Sequence, residues 1–115
     1  MKKVALFAFT GDPVCFIHVL LNALEMDEKG YDLKLIIEGS AVKLVKVLAD
    51  PEAPLHSLYQ KVKEKGLIDC VCKACAVKLG AAGSAAEQGL PLGGSMNGHP
   101  SMAEYQGKGY EIITF

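Results

Sequence analysis

The stretch Lys3-Val4-Ala5-Leu6-Phe7-Ala8-Phe9-Thr10-Gly11-Asp12-Pro13 decides how the chain is read. Lys3 leads into a continuous apolar run, Val4 to Phe9, of strand length, closed by turn residues. A strand without polar alternation suits a sheet covered on both faces, which is the habit of parallel sheets. Asp12 stands where a helix cap belongs, and Pro13 fits a first helical turn. A helix follows to about Lys29, where Gly30 stops it. Ile17, Leu20, Leu21 and Leu24 share one face of that helix. Phe16 and Val19 widen the stripe, so the helix is expected to be covered on more than one side.

Working outward, the same alternation continues. Tyr31 to Glu38 reads as a second strand, Gly39-Ser40 as a turn, and Ala41 to Leu48 as a short helix with Val42, Leu44, Val45 and Leu48 inward. Asp50 to Pro54 is a connector. Residues 55–65 form an amphipathic helix with Leu55, Leu58, Tyr59 and Val62 on one side; His56, at its start, is expected to be solvated. Leu67 to Cys72 is the third strand, and Ala74 to Leu79 opens another helix. From Gly80 to Gly98 the pattern breaks: six of the twelve glycines fall there, so the region reads as irregular. It carries a helical turn at 81–87 with Ser84 as its cap, an extended piece at 90–92, and a mobile loop at 93–98. A short helix over 101–106 and a strand over 110–115 end the chain. The order implies an α/β, flavodoxin-like three-layer domain over residues 1–115, with a mostly parallel sheet of about five strands and helices on both faces.

Composition narrows the function. The chain has 115 residues, half of them hydrophobic, and a net charge of −1. That charge gives no electrostatic case for nucleic acid or an anionic membrane surface. No run is long and apolar enough to span a bilayer. Lys2-Lys3 followed by Val4 to Phe9 imitates a signal core, but Thr10 to Pro13 breaks it. The expected location is therefore cytoplasmic. Four cysteines in that setting point to catalysis, redox work or metal before structural disulfides.

Three of those cysteines lie in Ile68-Asp69-Cys70-Val71-Cys72-Lys73-Ala74-Cys75-Ala76, where a strand passes into a helix. In α/β sheets, sites lie beyond the carboxyl ends of the strands, and three loops converge there: Thr10-Gly11-Asp12, Glu38-Gly39-Ser40 and Cys72-Lys73-Ala74. Cys72 is the expected nucleophile, because a helix N-terminus and the neighbouring Lys73 both favour thiolate. Cys70, two residues earlier, is expected to face the same side as Cys72, as core or as a partner thiol. Cys75 completes a C-x-x-C and can resolve a sulfur bond. Cys15 and His18 share one helical turn; Cys15 either looks into the same cleft or simply packs. Met96 and His99 sit in or beside the glycine loop, which can cover the site with His99 as an acid/base. A metal would have to draw on C-x-C-x-x-C with Cys15, His18 or His99. Two cysteines along a strand chelate poorly, so no metal is expected. No dinucleotide-binding glycine motif follows the first strand, and no cofactor is expected.

With these residues in view, the chain resembles the DsrE/DsrF-like family of small sulfur-relay-related proteins. The likeness rests on Thr10-Gly11-Asp12-Pro13 entering the first helix, on Leu35 to Val42, on Cys72 with Gly80 eight residues on, on the C-x-C of Cys70-Val71-Cys72, and on Gly109 to Phe115. The resemblance implies a persulfide carried on Cys72 and passed between donor and acceptor proteins. It also implies homo-oligomers, as trimers or hexamers. Two other roles fit the residues: a non-catalytic oligomeric module that binds a small molecule or partner, and a dithiol redox protein using Cys72 and Cys75.

Overall fold

A computed structural model describes all of residues 1–115. The elements are β1 (Lys3–Ala8), α1 (Pro13–Glu28), β2 (Asp32–Ile37), a 3-10 turn (Gly39–Ala41), α2 (Val42–Leu48), α3 (His56–Glu64), β3 (Ile68–Cys72), α4 (Lys73–Lys78), α5 (Ala82–Glu87), β4 (Leu92–Gly93), α6 (Met102–Gly107) and β5 (Glu111–Thr114). All neighbouring strands are parallel, in the order β4-β3-β2-β1-β5. The fold is the α/β, flavodoxin-like arrangement that the alternation implies.

The strand order explains an asymmetry between the two faces. From β1 to β4 the chain steps across the sheet in one direction, and right-handed crossovers then place α1 to α5 on the same face. Only the return from β4 to β5 crosses the other face, carrying α6. The buried clusters follow suit. Twenty-five residues, including Leu6, Phe16, Leu35, Val45 and Tyr59, pack on the crowded face, whereas Ala5, Phe7, Ile36, Cys70 and Tyr110 form the smaller one under α6.

Local details match the side-chain chemistry. Asp12 caps α1 by accepting from the Val14 N–H at 2.9 Å. Ser40 ties two of the carboxyl-end loops together: its hydroxyl accepts from the Gly11 N–H at 2.9 Å and donates to the Phe9 carbonyl at 3.1 Å. Gln88 joins three helices, donating to the Val45 carbonyl and the Ser84 hydroxyl and accepting from Tyr59. No helix is long and apolar enough to cross a membrane.

Four local expectations are corrected. Ser84 lies within α5 and bonds the Gln88 side chain, so it caps nothing. Leu21 is exposed, because α1 buries a narrower face of Phe16, Val19, Leu20 and Ala23. His56 is half-buried, with Nδ1 2.7 Å from the Leu48 carbonyl, which it meets because α2 and α3 are joined by a tight connector. The 93–98 segment forms defined structure. Asn97 and Gly98 both have positive φ (53° and 87°), the signature of a type I′ turn, and Met96 and His99 pair across it with two backbone hydrogen bonds of 3.0 Å.

Gly39 has φ +55°, and a Cβ there would meet the Phe9 carbonyl oxygen at 2.9 Å; Gly30 has φ +83° and open space around it. Gly39→Ala is expected to cost about 1–3 kcal/mol through backbone strain plus collision, and more than Gly30→Ala, which carries the strain alone. Urea midpoints of the two variants check this; equal losses would refute the close approach.

Candidate functional site

The site begins where β3 becomes α4. Cys72 ends the strand and is the N-cap of the helix, with φ −56° and ψ 116°. Its sulfur accepts from the Cys75 N–H at 3.4 Å. The hairpin turn at Asn97-Gly98 brings the other half. The Gly98 carbonyl accepts from the Ala74 N–H at 3.0 Å, which fixes the turn to the first residues of α4. His99 Nδ1 is thereby held 3.2 Å from Cys72 Sγ and 3.7 Å from Cys75 Sγ, and the Gly98 carbonyl is 3.6 Å from Cys72 Sγ. Cys72, Cys75 and His99 thus present ligating atoms that all lie within 4.8 Å of one another.

The resting state of Cys72 differs from the sequence expectation. Its residue is 0% exposed, and burial pushes the thiol up to about 12, with Cys75 and Glu38 acting in the same direction and only the Cys75 backbone N–H opposing them. A helix of six residues with one N–H on the sulfur does not outweigh that desolvation. Lys73 is exposed and is not among the groups acting on this thiol. Cys72 is therefore a neutral thiol at rest. In the Nε2–H tautomer, His99 Nδ1 is placed to accept a hydrogen bond from the Cys72 thiol at 3.2 Å.

Cys70 does not share this environment. It packs with Ala5, Phe7, Ile36 and Tyr110 under α6, whereas Cys72 belongs to the larger cluster. Two features break the simple alternation. The register with β2 shifts so that Ile68 and Cys70 oppose consecutive residues, leaving Asp69 as a bulge, and Cys72 turns into the helix cap. Cys70 Sγ is 3.9 Å from the Tyr105 hydroxyl, which itself donates to Asp69. Burial pushes Cys70 up to about 11, partly offset by Tyr105.

The remaining candidates divide. Cys15 and His18 line a separate groove with Thr10, Asn22 and Phe115. Asp12 is a helix cap, and Gly39 permits the β2 turn. Met96 is exposed; it lines a cavity of about 360 Å³ with Phe9, Glu38, Pro100, Ser101, Met102 and Ala103. Glu38 is a residue that the sequence placed at the site only as part of the Glu38-Gly39-Ser40 loop. It is 6% exposed, burial raises its carboxyl, and it bears electrostatically on both Cys70 and Cys72. A charged residue ending an apolar parallel strand was the available signal.

Half-exposed Cys75 is expected to react with an alkylating agent before Cys72. Cys72 modification should still be accelerating at about pH 10, because its thiolate fraction is still growing there. Peptide-resolved alkylation against pH checks both points; a Cys72 plateau near neutrality would contradict the neutral resting thiol.

The model of the DsrE/DsrF-like family matches residues 3–115. An uncharacterized protein of Methanocaldococcus jannaschii is 38% identical over 97 residues, covering 84% of this chain and 77% of that one. An uncharacterized protein of Archaeoglobus fulgidus is 50% identical over 40 residues, 35% of this chain and 66% of that one. A solved structure of a Bacteroides thetaiotaomicron protein of unknown function superposes with a TM-score of 0.76 over 99% of this chain and 95% of that chain, at 19% identity, a likeness of fold. With nearly its whole length matched, and with an all-parallel sheet presenting a cysteine at the end of β3, the chain belongs to the DsrE/DsrF-like family.

Proposed function

We propose that this chain is a sulfur-relay carrier in which Cys72 takes up a sulfane sulfur as a persulfide and hands it to a partner. The observation that carries the reading is the 3.2 Å approach of His99 Nδ1 to Cys72 Sγ, in a chain whose family supports a sulfur-relay-related role. The uptake step is balanced without an external oxidant. His99 takes the Cys72 proton, and the thiolate attacks the outer sulfur of a donor persulfide R–S–SH. The donor S–S bond breaks as the new one forms, and the proton returns to the departing R–S⁻. The products are Cys72–S–SH and R–SH.

The surroundings suit each requirement. Burial keeps the loaded sulfur from bulk reductant, and the half-exposed Cys75 and His99 mark the side on which a partner thiol gains access. Donor and acceptor proteins, and self-assembly into a trimer or hexamer in a cytoplasmic setting, belong to this reading through the family. A second reading, a dithiol redox protein, has one observation in its favour: the Cys72 and Cys75 sulfurs lie within 4.8 Å of each other.

Incubating the reduced protein with a persulfide donor should add the mass of one sulfur atom per chain, and Cys72→Ser should abolish the adduct. His99→Ala should slow loading by about 100-fold, the usual scale of a lost general base. Absence of an adduct, or one that survives Cys72→Ser, would overturn the carrier. The redox reading instead predicts loss of two hydrogens on mild oxidation, prevented by Cys75→Ser.

A further inference from the structure

The same three side chains have a second capacity that sulfur transfer does not require. Zinc bound tetrahedrally by thiolate and imidazole has bond lengths that place S···N and S···S edges at about 3.5–3.8 Å. The two S···N distances here are 3.2 and 3.7 Å, and all three ligating atoms fit within 4.8 Å. The two S···N edges need shifts of only a few tenths of an ångström, and the S···S edge, within 4.8 Å, needs at most about 1 Å. The donors converge because rigid features hold them. Cys72 and Cys75 open α4, and His99 is pinned by its pairing with Met96 and by the Gly98 carbonyl on the Ala74 N–H.

The expectation against metal rested on Cys70 and Cys72 side by side along a strand. Both do lie on β3, and Cys70 packs with the cluster under α6; the trio that assembles, Cys72, Cys75 and His99, is drawn instead from a helix start and a hairpin. Two thiolates and one imidazole are the soft donor set that selects zinc over magnesium or calcium. Cys72 is buried, while Cys75 and His99 are half-exposed, so a fourth position faces the open side.

We propose that Cys72, Cys75 and His99 form a three-ligand site for a Zn²⁺-class ion, with the fourth position taken by solvent or an incoming thiolate. Binding releases the two thiol protons and changes no oxidation state. It goes beyond the sulfur-carrier reading and competes with it, because a coordinated Cys72 is no longer free to attack a persulfide.

Titrating reduced, anaerobic protein with Co²⁺ as a spectroscopic probe tests the site. The expected result is one ion per chain, with tetrahedral d–d bands and thiolate-to-cobalt charge transfer, both displaced by Zn²⁺. Cys75→Ser and His99→Ala, at half-exposed positions, should each weaken binding by about 100-fold or more. Cys15→Ser and His18→Ala, both exposed and in the separate groove, should leave it unchanged. An octahedral spectrum, no stoichiometric binding, or sensitivity to Cys15 and His18 in place of Cys75 and His99 would overturn the proposal. Sulfur loading is read separately by mass in the presence of chelator. Loading without cobalt binding therefore defeats the metal site alone, and cobalt binding without loading defeats the carrier alone.

Discussion

A thiol with no solvent contact must find its hydrogen-bond partners inside the protein, and the arrangement around Cys72 follows from that need. Its sulfur accepts one backbone N–H from α4, its thiol donates to the Gly98 carbonyl at 3.6 Å, and His99 Nδ1 lies 3.2 Å away. The strand end, the helix start and the Asn97-Gly98 hairpin all meet at this atom. Burial raises this thiol above its ordinary range, because desolvation outweighs what a six-residue helix supplies.

The topology makes this junction available. Successive right-handed crossovers carry the chain toward the β4 edge, and β3 ends there beside a strand only two residues long. So short a β4 cannot continue past the end of β3, and the following residues are free to fold back as a hairpin over α4. On the opposite face, α6 covers the sheet nearly alone, and Cys70 is taken up there with Tyr105 and Asp69. The C-x-C motif thus divides between the two sides of the sheet, and the C-x-x-C motif stays together.

Much of the fold was legible in the sequence. The apolar run from Val4 to Phe9, the Asp12-Pro13 cap and the glycines at 30 and 80 mark element boundaries through local chemistry that tertiary contacts do not override. Cys72 at the strand–helix junction was legible for the same reason, and so was His99 as a residue near the site. Three things were not. Alternation along β3 paired Cys70 with Cys72, whereas Cys72 leaves the strand pattern to cap α4. The contacts that cover Cys72 come from a segment 26 and 27 residues further along the chain. The 93–98 hairpin had a signal in Asn97-Gly98, but without flanking apolar strands that dipeptide read as flexible loop.

The central claim is that the hairpin's backbone, threaded through glycines, buries Cys72 and aligns His99 on it. Gly94 has φ +149°, and a Cβ there would lie 2.3 Å from the Gly98 carbonyl carbon and 2.4 Å from the His99 nitrogen. Gly94→Ala therefore cannot keep the hairpin in place. The most direct measurement is the alkylation rate of Cys72 in Gly94→Ala against the parent protein. The account predicts a rise of about tenfold or more as the thiol is uncovered. An unchanged rate in a folded variant would mean that the hairpin does not guard Cys72.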